Sequence, residues 1–409
     1  MNLVDGKMLA SDECESVLDS LEERILVTLS KDRLRPGTVV AACDRLAKGL
    51  DEAAYLAKMG QLGISPARGR QYIAEAREMF RAEALQQRLQ TELGNDLSRV
   101  EPLGTLLHVA AGNMDGLPAF SVLEGLLTGN INILKLPAEE GGVSVGLLAE
   151  LIREEPTLAE YIYVFDYSSR DVLHIRKLLA AADAVVVWGG DEAVAAFRAM
   201  VKPNTKLIEW GHKVSFGYVT RSGLTDEGLS GFARNIAETG QMLCSSCQGL
   251  FLDTDDMGEV HSLCGRFAAL LAREVAGFPS VGLIAQATLE LYTAELESLA
   301  TGGRVYRSQG CGVIARSDSK LESAPAPRVP WVKPLPRERI LRSLYPYKNH
   351  LQTVGLLCGE GEREALARQF FKTGVVRVTT GGSMSRNELN MPHDGEYPLR
   401  RYVKVTHLD

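Results

Sequence analysis

From residue 104 onward the chain alternates two textures. Short runs rich in Leu, Ile and Val, "GTLLHVA", "INILKL", "YIYVFD", "AVVVW" and "KLIEW", are separated by polar stretches whose apolar residues recur at helical spacing. A run with no polar alternation suits a strand buried on both faces, and helical segments of about ten to fifteen residues between such runs predict βαβ units with a parallel sheet. Ahead of this region, residues 38–90 read "VVAACDRLAKGLDEAAYLAKMG" and, after "ISPARGR", "QYIAEAREMFRAEALQQRLQTEL". That periodicity predicts an N-terminal helical segment.

A second series follows residue 210. The helix "DEGLSGFARNIAETG" places Leu229, Phe232, Ala233, Ile236 and Ala237 on one face and leads into the strand "GLFLD". Helices near 258–276 and 284–300 come next, then two runs, "TVGLLC" and "VVRVTT", that read as buried strands. The end, "YPLRRYVKVTHL", alternates like a strand in search of a partner. Residues 317–337 hold five prolines and are expected to lie outside regular structure, as a functional loop. No internal repeat is found.

Composition narrows the function classes. The 409 residues are 45% hydrophobic and 24% charged, enough for two or three domains with sizeable cores. The formal net charge of −7 excludes a surface field that gathers nucleic acid or anionic lipid, so an anionic ligand must be held by local donors. No apolar run reaches the roughly 18 residues of a spanning helix, and "MNLVDGKMLASDE" lacks the basic and apolar regions of a secretion signal. The expectation is a cytoplasmic protein without membrane insertion. The cysteines Cys14, Cys43, Cys244, Cys247, Cys264, Cys311 and Cys358 are odd in number and scattered, unlike a disulfide framework.

Two of them stand three apart in "QMLCSSCQG". A structural zinc site needs a second CxxC or a close His pair, and the seven histidines are isolated from one another. No metal is expected. A dithiol redox pair belongs at the start of a helix after a strand, whereas here Cys244 follows a helix and precedes a strand. A pair of buried structural thiols is the commonest fate of such residues. The alternative is one reactive thiol, and the upstream sequence bears on it.

Residues 209–215 read "EWGHKVS", with Glu209 at a strand end 35 residues before Cys244. Further upstream, "SRVEPLGTLLHVAAGN" ends at Asn113, "GLLTGNINILKLPAE" carries Lys135 after a strand, and "VVVWGGDEAV" sets Gly189 and Gly190 between a strand and a helix. In order and spacing this set resembles the aldehyde dehydrogenase superfamily. Within it, "AAGN", "CSSCQ" and the terminal "PHDGEYPLRRYV" are most similar to the fatty acyl-CoA reductases of the bioluminescence (LuxC) type, over roughly residues 98–409. One departure is Cys247, where that pattern has proline.

The resemblance implies an α/β protein with the aldehyde dehydrogenase-like fold. Residues 1–208 would hold the N-terminal helices and a Rossmann-like NAD(P)-binding domain, and 209–385 an α/β catalytic domain. Residues 386–409, with a short part near 90–103, would form an oligomerisation element, which returns to the cofactor domain or pairs with a neighbouring subunit. By position, Cys244 is the nucleophile, Asn113 and the Cys244 backbone N–H are the oxyanion donors, and Glu209 is the general base. Lys135 would reach the adenosine ribose or a 2′-phosphate, and Gly189 and Gly190 would admit the nicotinamide half.

The superfamily's ribose-binding glutamate falls at Ala138, and "YSSRD" offers Ser168, Ser169 and Arg170 to an extra phosphate, so NADPH is expected ahead of NADH. The implied activity is reduction of an acyl-CoA or carrier-bound acyl thioester to the aldehyde, in a homo-oligomer, with an acyl-transfer or acyl-activating enzyme as a partner. Two alternatives stay open. Glu209 also permits oxidation of aldehyde to acid, and the chain could instead be a non-catalytic scaffold subunit of an acyl-transfer complex. In the reductase reading, Trp331 in the Pro-rich stretch either lines the acyl passage or is simply packed.

Overall fold

The computed structural model describes residues 1–61, 66–95, 97–110, 116–137, 141–301, 303–386 and 391–407, the side chains of 58, 61, 67, 68 and 299–301 excepted. The chain divides into two compact units, Met1–Gly211 with Glu388–Asp409, and His212–Asn387.

The first unit holds β1 (Asn2–Val4), β2 (Lys7–Leu9), β3 (Val100–Pro102), β4 (Thr105–Val109), β5 (Ile131–Lys135), β6 (Ile162–Phe165), β7 (Ala184–Trp188) and β8 (Lys206–Trp210). Its main sheet runs β2-β1-β6-β5-β4-β7-β8. The five strands from β6 to β8 are mutually parallel. Helices Leu117–Leu127, Val143–Glu154, Val172–Ala180 and Asp191–Met200 cross between them, so the order reverses on either side of β4. Leu106, Leu107, Ile131, Ile133, Val164, Val185 and Val187 are fully buried, as strands covered on both faces require.

The sheet is wider than the apolar runs predict. β1 and β2 form a hairpin whose first strand adds antiparallel to β6. Its turn is Asp5-Gly6, both at positive φ (50° and 71°), the geometry that suits the twist of a two-residue hairpin. The N-terminal helical segment extends further than the periodicity suggests, with Ser11–Asp19 and Leu21–Leu29 preceding Pro36–Gly49. A buried charge cluster fixes the C-terminal segment here. Arg88 bonds Glu92 (2.7 Å) and Glu124, Tyr402 Oη donates to Glu124 (3.3 Å), and the Leu399 N–H donates to Glu92 (2.8 Å).

The second unit holds β9 (Val214–Val219), β10 (Cys247–Leu252), β11 (Arg304–Ser308), β12 (Cys311–Ala315), β13 (Trp331–Pro334), β14 (Leu351–Leu357) and β15 (Arg377–Thr379), in the order β11-β12-β13-β10-β9-β14-β15. Only β11 is antiparallel to its neighbour among these described strands. Helix Asp226–Thr239 is capped by Thr225, whose hydroxyl accepts from Gly228 N (3.1 Å), and it buries Leu229, Phe232, Ala233, Ile236 and Ala237. Phe232 sits directly on the sheet because Gly217 and Gly355 lie beneath it. A Cβ at either position would stand 2.7 or 2.4 Å from its ring.

Three expectations are corrected. β13 lies inside the Pro-rich stretch, between β10 and β12. Proline removes a donor but keeps its carbonyl, and Pro330 O accepts from Ile314 N (3.0 Å) while Val332 O accepts from Arg316 N (3.1 Å). Trp331 on this strand is packed, fully buried against Phe251 with Nε1 donating to Glu322 O (3.1 Å). β15 is a half-buried edge strand rather than a buried one. The terminal run begins as a helical turn, Pro398–Arg401, and only then becomes β16 (Val403–Val405), which pairs antiparallel with β3 of the same chain. Among the described residues no helix is long and apolar enough to cross a membrane.

Candidate active site

The turn that carries both cysteines is built by the end of one helix and the start of one strand. Helix Asp226–Thr239 stops at Gly240, left-handed at φ 57°, where glycine relieves the Cβ clash. Gln241 follows, also left-handed at φ 60°, a conformation that costs a non-glycine residue roughly 1 kcal/mol or more. Its side chain supplies the compensation: Nε2 donates to Cys247 O (2.9 Å) and Gln248 O (3.2 Å), and Oε1 accepts from Val329 N (3.1 Å). Gln248 Nε2 returns a bond to Gln241 O (3.0 Å). The segment between the two glutamines is thereby clamped at both ends.

Within the clamp the two thiols meet different surroundings. Cys247 opens β10 and is fully buried; its backbone N–H donates to Asn235 Oδ1 (2.9 Å) and its Sγ–H points to Gly249 O (3.4 Å). Burial pushes its pKa up to about 12, so at neutral pH it stays a protonated, inert thiol. Cys244 lies in the turn and is half-buried. Its carbonyl accepts from Ser215 Oγ (2.7 Å) on β9, and its Sγ accepts from Gln352 Nε2 (3.2 Å) on β14. Ser245 Oγ and Asn235 Nδ2 share Ser385 Oγ at 3.1 and 2.9 Å, which ties the turn to the segment after β15.

The sheet is irregular where it holds this turn. β9 and β14 pair Val214 with Leu351 and Phe216 with Val354, so Ser215 alone faces Gln352 and Thr353. β9 and β10 pair Ser215 with Cys247 and Gly217 with Leu250, so Phe216 alone faces Gln248 and Gly249. Each is a bulge of two residues against one, a device that bends a strand and re-aims its side chains. Ser215 lies between the two.

The other expected site residues that are described belong to the first unit, at or after the carboxyl ends of its parallel strands. Lys135 closes β5, buried, and its ammonium donates to Ser169 Oγ (2.6 Å); burial lowers its pKa. Ser168, Ser169 and Arg170 are exposed after β6, with Arg170 N on Ser168 Oγ (3.2 Å). Gly189 and Gly190 follow β7, and a Cβ on Gly190 would meet nothing within 4 Å. The helix that starts after them carries Asp191 and Glu192 in its first turn. Glu209 sits near the end of β8 with both oxygens on Arg198, at 3.0 and 2.5 Å. Asn113 and Ala138 lie outside the described residues.

The first unit also contains a polar chain that the sequence reading passed over. His108 on β4 is fully buried between Ser121 Oγ (2.7 Å) and Asn132 Oδ1 (3.0 Å), and Trp188 Nε1 donates to the same serine (3.0 Å). Burial lowers the His108 pKa to about 4, so the ring is neutral at physiological pH. Among the described residues no three His, Cys, Asp or Glu side chains cluster as a metal site.

Comparison with known proteins follows the same lines. Residues 37–405 match the family described as acyl-CoA reductase (LuxC). Relatives include long-chain acyl-protein thioester reductases of Aliivibrio fischeri, 24% identical over 329 residues, and of Vibrio harveyi, 24% identical over 320 residues. These alignments cover 77% and 76% of this chain but 66% and 65% of the relatives, so the chain spans just under two thirds of their length. Among solved structures, an NAD-dependent aldehyde dehydrogenase from Sinorhizobium meliloti superposes with TM-score 0.76 at 13% identity, covering 99% of this chain and 93% of that one. A glyceraldehyde-3-phosphate dehydrogenase from Methanocaldococcus jannaschii in complex with NADP superposes with TM-score 0.72 at 12% identity, over 98% and 94%. The fold is that of the aldehyde dehydrogenases.

Proposed function

Because the chain belongs to the acyl-CoA reductase (LuxC) family, we propose that it reduces a fatty acyl thioester, on CoA or a carrier protein, to the aldehyde through an acyl-enzyme on Cys244. The observation that carries this reading is the contrast within "CSSCQ". Cys244 is half-buried in a clamped turn with a donor on its sulfur, whereas Cys247 is sealed in the sheet. A thiolate attacks a carbonyl far better than a thiol, and only Cys244 is placed to become one.

In the proposed reaction Cys244 Sγ bonds to the thioester carbon and the carbon–sulfur bond to the carrier breaks. The carrier leaves as a thiolate that takes up a proton, and the acyl group stays on Cys244. The Cys244 backbone N–H and the Asn113 amide are the proposed donors to the oxyanion, each worth about 3–4 kcal/mol if preorganised. Ser215 holds the Cys244 carbonyl and so fixes the direction of the adjoining peptide. After reduction at the acyl carbon, the bond to Cys244 breaks and the thiol is restored as the aldehyde departs.

The nicotinamide cofactor, NADPH in this proposal, supplies the hydride when bound. The residues at the strand ends fit such a group. Lys135 is a buried cation that donates to a hydroxyl, Ser169, and Arg170, the next residue after Ser169, is exposed, which suits a ribose carrying an extra phosphate. The acidic first turn after Gly190 disfavours a phosphate there, and the space at Gly190 suits a neutral ring, which supports the nicotinamide half at that end. The two-stranded β3–β16 sheet keeps an edge for a second copy of the chain, the basis for a homo-oligomer.

The test is direct. The protein incubated with a long-chain acyl-CoA and NADPH should oxidise NADPH with equimolar aldehyde. Rapid formation of acid from aldehyde and NADP, without thioester reduction, would reverse the direction, and neither activity would leave a scaffold.

A further inference from the structure

We infer that Gln352 is a catalytic residue of this reaction, the neutral donor that holds the Cys244 sulfur as a thiolate through the Nε2–H···Sγ bond. The inference rests on Cys244 as the nucleophile. It starts from the backbone. β14 carries one residue more than β9 between two paired positions, and Gln352 is one of the two residues in that bulge. Ser215 opposite it anchors the arrangement: its Oγ accepts from Thr353 N (3.1 Å), the other bulge residue, and donates to Cys244 O (2.7 Å). One serine hydroxyl thus joins the bulge to the cysteine backbone, and the bulge turns the Gln352 amide onto the sulfur at 3.2 Å.

The orientation of the amide follows from chemistry. A thiolate accepts and does not donate, so the NH₂ end is the end that stabilises it. Gln352 is itself buried, which limits the water that would otherwise compete for its amide N–H. A neutral amide has a further consequence. It gives no proton away, so Cys244 loses its proton to solvent or to the departing thiolate, and the same N–H meets the sulfur again when the reduced intermediate breaks its carbon–sulfur bond. Stabilisation of Sγ therefore assists both the attack and the release.

The ionisable groups that flank the turn on its neighbouring elements include His212 and Lys213 before β9, His350 before β14, Glu238 in the last turn of the preceding helix, Cys247, and Arg377 on β15, which pairs with Thr353 and whose guanidinium donates to Met384 O (2.9 Å), Ser383 O (3.0 Å) and Arg386 O (3.1 Å). Lys213 Nζ is held on Asn349 O (2.8 Å) and His350 Nδ1 lies 3.2 Å from His212 O. These groups are common to native and variant proteins, so a difference between their pH profiles isolates the Gln352 donor.

The full chain, Gln352→Met and Gln352→Glu are treated with iodoacetamide across pH 5–10, and Cys244 alkylation is followed by peptide mass spectrometry. A hydrogen bond to a charged group predicts that the midpoint of the alkylation profile rises by about one to two pH units in Gln352→Met, and that the carboxylate of Gln352→Glu also raises it. Single-turnover acylation by acyl-CoA at pH 7 should fall about 10–100-fold and recover above the new midpoint. The Glu variant keeps the shape of the side chain, so it decides the matter if the Met variant melts early. Unchanged midpoints in a folded variant overturn the inference. If the Cys244 midpoint shifts in the variants as predicted but the native protein never acylates, the functional reading fails and the Gln352 bond stands.

Discussion

Glu209 is where reductase and oxidiser part. A reductase must deliver hydride before water reaches the acyl-enzyme, whereas an oxidiser needs an activated water, to which a general base contributes typically ~10²–10⁴-fold. Both Glu209 oxygens lie on the Arg198 guanidinium, at 3.0 and 2.5 Å, so base duty requires this pair to open. Arg198 is largely exposed, with a side chain 67% accessible against 24% for Glu209, and exposed pairs are worth about 0.2–1 kcal/mol. Opening the pair therefore changes a rate by at most about fivefold, far less than the general-base term. The assay is hydrolysis of Cys244-bound acyl group, formed from radiolabelled acyl-CoA, in the absence of NADPH. Native protein should hydrolyse it slowly, Arg198→Ala should raise the rate by no more than about fivefold, and Glu209→Gln should leave it within the same factor. A fall of a hundredfold or more in Glu209→Gln, from a fast native rate, would restore the glutamate as a productive base and refute the reasoning.

Other residues give independent checks. Arg170→Ala should raise the KM for NADPH by about tenfold or more, as loss of a charge-assisted phosphate contact predicts, and spare NADH; equal losses for both would remove Arg170 from the cofactor. Arg88→Met leaves Glu92 and Glu124 buried without their cation and should cost about 3–5 kcal/mol in urea unfolding, against which a loss under ~1 kcal/mol would count. His174 bridges Glu15 and Asp171 (2.5 Å to the latter). Burial lowers its pKa, but the bonds to Glu15 and Asp171 outweigh burial and raise it overall. Its contribution to stability is then complete below about pH 6.5 and lost as the pH climbs through the raised value. The gap in Tm between native protein and His174→Gln should be largest at acid pH and close on the alkaline side; a gap that widens with pH would contradict the sign.

What the sequence made legible divides by the range of the interaction. Runs such as "AVVVW" announced buried parallel strands because burial on both faces leaves its mark in every residue. The helix face Leu229 to Ala237 was equally plain. The N-terminal hairpin was passed over although Asp5-Gly6 between two short apolar runs is a turn signal, because strands of three residues show little alternation. β13 was hidden by Pro330 and Pro334; the Pro330 carbonyl still serves the sheet by accepting from Ile314 N, and the Pro334 carbonyl accepts from Ser319 Oγ. Gln352 could not have been singled out, since its approach to Cys244 depends on a bulge, and register is a property of two strands rather than one. The same holds for Arg198, eleven residues from Glu209 along the chain and in contact only because the strand order folds helix Asp191–Met200 beside β8. The two cysteines illustrate both sides: spacing singled them out, but only burial separates Cys247 from Cys244.

The central claim is that one thiol of seven carries the acyl group. Brief incubation with a long-chain acyl-CoA without reductant, acid quenching and peptide mass spectrometry will locate the adduct. The account predicts a single acyl mass on the peptide containing Cys244, fragment ions that place it on that residue and not on Cys247, its disappearance as aldehyde when NADPH is added, and no adduct in Cys244→Ala. An adduct on Cys247 or elsewhere, or undiminished aldehyde production by Cys244→Ala, would contradict it.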